Sequence, residues 1–123
     1  MQVIEVLGRI FLSMIFLIEG INKIFNYEVT IQYMESFGVP EYLAIPAIIL
    51  EILFPLLLII GYQTKIAALV IAIFTIVVAI IFHTNFDDHM QFITFFKDIA
   101  IAGGFLIIFA NGAGKYSVDH KLN

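Results

Sequence analysis

The chain has 123 residues, of which 62% are hydrophobic and 13% charged, and its mean hydropathy is +1.05. A soluble domain is about 45–50% apolar and about 25% charged, so this chain carries roughly half the charge that a water-facing surface needs. That excludes a soluble enzyme and a disordered tail. Six Lys+Arg against ten Asp+Glu exclude a nucleic-acid partner, and the absence of Cys excludes disulfides, thiolate metal sites and CxxC redox chemistry. What remains is a small integral membrane protein whose first partner is the lipid bilayer.

A helix needs about 20 mostly apolar residues to cross a bilayer. The hydropathy pattern predicts one all-α domain over residues 1–123, an integral membrane four-helix bundle with spans at about 3–25, 42–61, 64–83 and 92–111. The first span has no positive leader region and no A-x-A site, so it reads as a retained helix rather than a secretory signal. Between the first two spans, Ile31, Met34 and Phe37 recur every three positions among Glu28, Gln32, Glu35 and Ser36, until Gly38 and Pro40 supply a stop. This predicts a short amphipathic helix, either an interfacial connector or a lid over a ligand pocket. Gly61 is suited to cap the second span, and Tyr62–Gln63 turns the chain into the third. The fourth follows the polar segment 83–91 and stops at Asn111–Gly112. Ala68-x-x-x-Ala72 and Ala100-x-x-x-Gly104 are spacings that let membrane helices approach closely.

Four crossings put both termini and the 62–65 hairpin on one side, with Lys65, Lys115 and Lys121. The opposite side receives Glu28, Glu35, Glu41, Asp87 and Asp88 with no Lys or Arg among residues 26–41 and 84–91. The positive-inside rule then places both termini in the cytoplasm.

The chemistry-bearing residues lie inside the spans. Glu5, Arg9, Glu19 and Lys23 fall within roughly an 80° arc of the first helix, at about 100° per residue. Ionisable groups at the bilayer centre cost about 3 kcal/mol or more, so this stripe is expected to face other helices. Glu19 and Lys23 have the i, i+4 spacing of a pair. Glu51 lies roughly 14 Å into the second span. Pro55 has no N–H for the Glu51 carbonyl, so a carboxyl group and a freed carbonyl share one turn, suited to a Lys, a water or a ligand hydroxyl. An equally open reading is a kink with Glu51 neutral or salt-bridged. Lys97 and Asp98 sit at a depth similar to Glu19, pointing about 100° apart. The expected cluster is therefore Glu19, Lys23, Glu51, Lys97 and Asp98, three acids against two bases. Either one acid holds its proton or another cation enters, with Glu51, the deepest, the candidate to be neutral. At the opposite end, Arg9 has a structural role, paired with Glu5 or with Asp119 folded back from the tail. His83, Asp87, Asp88 and His89 read as a solvated segment rather than a metal site, and no histidine lies deep enough to ligate haem. No redox centre or catalytic motif is apparent.

Arg9, Glu19-Gly20-Ile21-Asn22-Lys23, Gly38-Val39-Pro40, Glu51 and Gly61-Tyr62-Gln63-Thr64-Lys65 form a pattern. His83-Thr84-Asn85-Phe86, Lys97-Asp98-Ile99-Ala100-Ile101-Ala102-Gly103-Gly104 and Gly112-Ala113-Gly114-Lys115-Tyr116-Ser117-Val118-Asp119 continue it. Over essentially its whole length the chain resembles the DoxX family of small four-helix membrane proteins. Asp98 stands where relatives often carry Asn. The resemblance implies a bacterial inner-membrane bundle associated with redox systems, since the family's namesake is tied to thiosulfate:quinone oxidoreduction.

The leading functional expectation is an accessory subunit of a membrane redox system. It would bind a quinone or other small lipophilic molecule at the ionisable cluster, with Lys97 donating to a carbonyl and Glu51 accepting or relaying a proton. Electrons would come from a redox partner protein or a bound cofactor, and the bundle would act alone or as a homo-oligomer. The alternatives are a non-catalytic scaffold or assembly protein whose buried pairs fix helix register, and proton or ion transport. Transport ranks last, because the tail-side half offers only Glu5 and Arg9.

Overall fold

The structure, a computed structural model, describes residues 2–112 and 117–122. Lys115, used above for orientation, and the rest of residues 113–116 in the tail motif lie outside the described residues. The described residues form four long helices and two short ones: α1 (Gln2–Phe25), α2 (Tyr27–Ser36), α3 (Ala44–Ile60), α4 (Thr64–Phe82), α5 (His89–Asn111) and α6 (Val118–Leu122). A 3-10 turn at Glu41–Leu43 leads into α3, and there is no strand among the described residues.

By length and apolar composition, three segments among the described residues can cross a membrane: Glu41–Ile60, Thr64–Phe82 and His89–Asn111. The first helix, at 24 residues, is longer than any of them; its four ionisable residues set it apart. Its apolar residues Val3, Ile4, Leu7, Phe11, Ile18 and Ile24 are all exposed on the bundle surface, as lipid-facing side chains are. Its stripe does turn inward in part: Arg9, Phe16 and Gly20 are buried and Leu12 and Lys23 half-buried, while Glu5 and Glu19 remain exposed at its edge.

The fourth long helix starts three residues before the predicted span because Asp88 caps it. The Asp88 carboxylate accepts from the Met90 N–H at 3.0 Å, giving an orphan donor of the first turn its partner. The polar run His89–Gln91 is thus helix rather than loop.

Antiparallel α1 and α3 lie side by side, α4 packs on both α3 and α5, and the core gathers where all four meet: Phe16, Leu58, Ala67, Ala68, Ile71, Ala72, Ala102 and Phe105. Ala68 and Ala72 are wholly buried, as their spacing predicts. In the other small-residue pair only Gly104 makes the contact, against Leu12 of α1, while Ala100 is exposed. Phe16 and Phe105 meet edge-to-face at 5.6 Å beside it.

The amphipathic segment is α2, lying across the end of α4. Tyr33 stacks on Phe82 at 5.3 Å, Phe37 meets the same ring at 5.0 Å, and Met34 is buried. Gly38, at φ +78°, makes the turn out of it. Burial pushes the Tyr33 hydroxyl pKa up.

Candidate functional site

Near the α2 end, α1 and α3 approach closely because Gly20 has no side chain. A Cβ there would meet Ile52 Cγ1 at 2.8 Å and Glu51 Cβ at 3.3 Å. One turn further along α1, Lys23 donates from Nζ to Glu51 Oε1 at 2.5 Å. The pair is unequally covered: Lys23 is 30% exposed and Glu51 only 2%. The other Glu51 oxygen, Oε2, is buried and accepts no hydrogen bond. Pro55, buried one turn along the same helix, has no N–H to give the Glu51 carbonyl.

The five expected cluster residues separate. Lys23 reaches across to Glu51 instead of pairing with Glu19 on its own helix, since the Gly20 approach brings the buried carboxylate within reach. Glu19 is exposed, within electrostatic range of Glu51, Lys23 and Asp98. Asp98 turns toward α4, where its Oδ2 lies 3.8 Å from His83 Nε2, both side chains about one-fifth exposed. With Asp98 on that flank, the adjacent Lys97 is rotated by about 100°, and it is exposed. Lys97 is therefore not a buried amine of this cluster. His83, assigned from sequence to a solvated segment, instead ends α4 facing Asp98. Its place as the first polar residue after an apolar helix was the available signal. Among the described residues, no group of three or more His, Cys, Asp or Glu side chains is placed to hold a metal ion.

A second polar node occupies the other end of α3. Gly61, at φ +77°, closes that helix, with the Gly61 and Tyr62 N–H groups donating to the Leu57 carbonyl at 2.8 and 2.9 Å. Arg9 is 2% exposed and donates from Nη1 to the Leu58 carbonyl at 3.0 Å, placing a cation at the negative end of the helix dipole. The next helix, α4, begins without a capping side chain of its own. Asp119 supplies one from the tail: Oδ1 accepts from Gln63 N–H and Oδ2 from Thr64 N–H, each at 2.8 Å, and Asp119 N–H donates to the Gly61 carbonyl at 2.8 Å. Burial pushes the Asp119 carboxyl pKa up, but the bonds from Thr64 and Gln63 and the nearby Arg9 charge outweigh it and hold it below the ordinary value. Arg9 lies within electrostatic range of both Glu5 and Asp119, the two partners expected for it, and one of its hydrogen bonds goes to backbone.

The DoxX family profile matches residues 4–84, which covers α1 to α4. Inner membrane protein YqjF of Escherichia coli is 39% identical over 116 residues, spanning 94% of this chain and 89% of that protein. Inner membrane protein YphA of the same organism is 32% identical over 126 aligned positions, spanning 97% and 90%. No solved structure matches the chain. With apolar helices of membrane-crossing length and inner-membrane relatives along nearly all of its length, the chain is a bacterial inner-membrane protein and belongs to the DoxX family.

Proposed function

We propose that this protein is an accessory subunit of a membrane redox system that holds an isoprenoid quinone, or another small lipophilic molecule, at the Lys23–Glu51 pair. The observation that carries the reading is Glu51: a carboxylate 2% exposed, one oxygen bound by Lys23 and the other buried without a partner. A buried polar atom left unsatisfied costs about 1–3 kcal/mol, and a ligand group that donates a hydrogen bond there removes the cost. Lys23 takes the donor role that the sequence assigned to Lys97. The lipophilic body lies among the apolar side chains around α1 and α3, and electrons pass through a partner protein. The redox association rests on the DoxX resemblance. All four long helices cross the membrane in this reading, with Lys65 and Lys121 on the cytoplasmic side together with both termini, and α2 at the periplasmic face.

Mass spectrometry of organic extracts from gently purified protein tests it, comparing wild type with Glu51→Gln. A near-stoichiometric isoprenoid quinone in wild type, lost from an equally folded variant, is expected. Phospholipid alone in both proteins overturns the assignment.

A scaffold role is favoured by a different observation, the tail node, where Asp119 bonds with both oxygens and ties α6 to the α3–α4 turn. On that reading the Lys23–Glu51 pair also serves register. Lys23→Glu combined with Glu51→Lys then restores folding lost in each single variant without any bound molecule.

A further inference from the structure

Glu51 offers hydrogen-bond acceptors and lacks donors, and this bears on which ligand the proposed site takes. Glu51 is ion-paired with the Lys23 ammonium, and the carboxylate of that pair only accepts. Its Oε2 is buried and has no partner. The Glu51 carbonyl, deprived of a helical donor by Pro55, is a second acceptor in the same turn. Lys23 donates to Oε1 and not to Oε2, and its side chain is 30% exposed. Lys97, which would have added a second amine, is exposed. Asp98 faces His83, and Glu19, also an acceptor when ionised, lies within electrostatic range. A ligand bearing only carbonyl oxygens has no hydrogen to give the buried Oε2.

We infer that the site selects the hydroxyl-bearing form of a lipophilic ring compound, a quinol or phenol, over its carbonyl or ether counterpart, with the hydroxyl donating to Glu51 Oε2. The inference rests on the ligand-binding reading above and specifies its chemical class. It also assigns roles: Glu51 Oε2 accepts, and Lys23 holds Oε1 from the more exposed side. Lys97 takes no part.

The test uses the full chain in phospholipid nanodiscs with two probes of nearly equal hydrophobicity, 3-pentadecylphenol and its methyl ether. Retention after gel filtration is quantified by mass spectrometry against empty nanodiscs. A hydrogen bond to a charged group is among the stronger ones, so the phenol is expected to be retained about tenfold or more over the ether. Glu51→Gln is expected to narrow that ratio. Equal retention of the two probes overturns the inference, as does preference for the ether. If neither probe is retained while an isoprenoid quinone is recovered from purified protein, the donor requirement fails and the binding site stands. If neither probe nor any endogenous quinone is found, both readings fail.

Discussion

The glycines test the helix contacts most directly, because adding one methyl group has opposite expected consequences at positions that look alike in sequence. Gly8 and Gly20 both lie inside α1, so Ala at either gains about 0.5–1 kcal/mol of helix preference. At Gly8 a Cβ meets nothing within 4 Å, whereas at Gly20 it meets Ile52 Cγ1 at 2.8 Å and Glu51 Cβ at 3.3 Å. Ile52 cannot simply swing aside, since a β-branched side chain in a helix is nearly confined to one rotamer. Relief therefore requires α1 and α3 to separate by several tenths of an ångström, and overpacking of this kind costs about 1–3 kcal/mol. Gly8→Ala should be neutral or slightly stabilising, and Gly20→Ala should end about 1–3 kcal/mol less stable than Gly8→Ala, the helix-preference gain being common to both. Gly103 and Gly104 repeat the comparison on α5: the first is open, and the second faces the Leu12 methyl groups at 3.1 Å. Those methyls end a flexible side chain, so Gly104→Ala should cost less than Gly20→Ala. Unfolding by SDS in mixed dodecylmaltoside micelles, followed by circular dichroism, gives the ranking. If Gly20→Ala proves as stable as Gly8→Ala, the close α1–α3 approach is wrong, and with it the geometry that brings Lys23 to Glu51.

Three further outcomes are expected. Lys23→Met leaves a buried carboxylate without its cation and should cost about 3–5 kcal/mol; Lys23→Met with Glu51→Leu should recover much of that loss, and additive losses in the same unfolding assay would show the pair to be uncoupled. Asp119→Asn removes one capping acceptor from α4 and should cost about 0.5–2 kcal/mol. Because the folded Asp119 pKa lies below its ordinary value of 3.8, ionised Asp119 contributes its stability in full above that value and loses it as pH falls through the lower folded one; the Asn variant should show a flatter stability profile between about pH 5 and pH 2. Lys97→Met should insert, fold and retain any bound molecule as wild type does, since the Lys97 side chain is exposed; loss of the molecule from this variant would return Lys97 to the site.

Hydropathy and the Gly and Pro stops mark the four long helices and α2, because each is set by its own composition; the α5 start, set by the Asp88 cap, and α6 lay outside that signal. Glu51 and Pro55 were legible as the long helices were: depth and spacing alone mark a buried acid beside a broken backbone bond. Partner choice was not readable in this way. A helical wheel tells which residues of one helix share a face, but it does not tell which neighbour that face meets. Lys97 and Asp98 show the difficulty, since adjacent residues about 100° apart cannot both turn inward, and nothing local decides between them. Glu19 and Lys23 have pair spacing, yet the i, i+4 attraction is worth only about 0.2–0.5 kcal/mol and yields to a buried carboxylate on the next helix. The Asp119 cap joins residues 55 and 56 positions apart. Its one sequence trace is negative: α4 opens at Gln63–Thr64 with no Asp or Asn in place to cap it.

The two polar nodes on α3 explain why the functional reading belongs to one end. At Gly61 each charge has a helix terminus to serve: Arg9 meets the α3 carbonyl end, and Asp119 meets the α4 amide end with both oxygens bonded. Such charges act on the dipoles of the helices they cap, and a structural account covers what they do. Glu51 has no such account. It lies inside α3, where no helix terminus offers N–H groups, and Lys23 satisfies only one of its oxygens. A Leu at position 51 with an apolar residue at 23 would hold α1 against α3 without desolvating any charge, and buried pairs are often matched or exceeded in stability by such replacements. If the double variant Lys23→Met with Glu51→Leu is as stable as wild type, stability alone does not account for the carboxylate. A bound partner for Oε2 then becomes the stronger explanation for keeping it there.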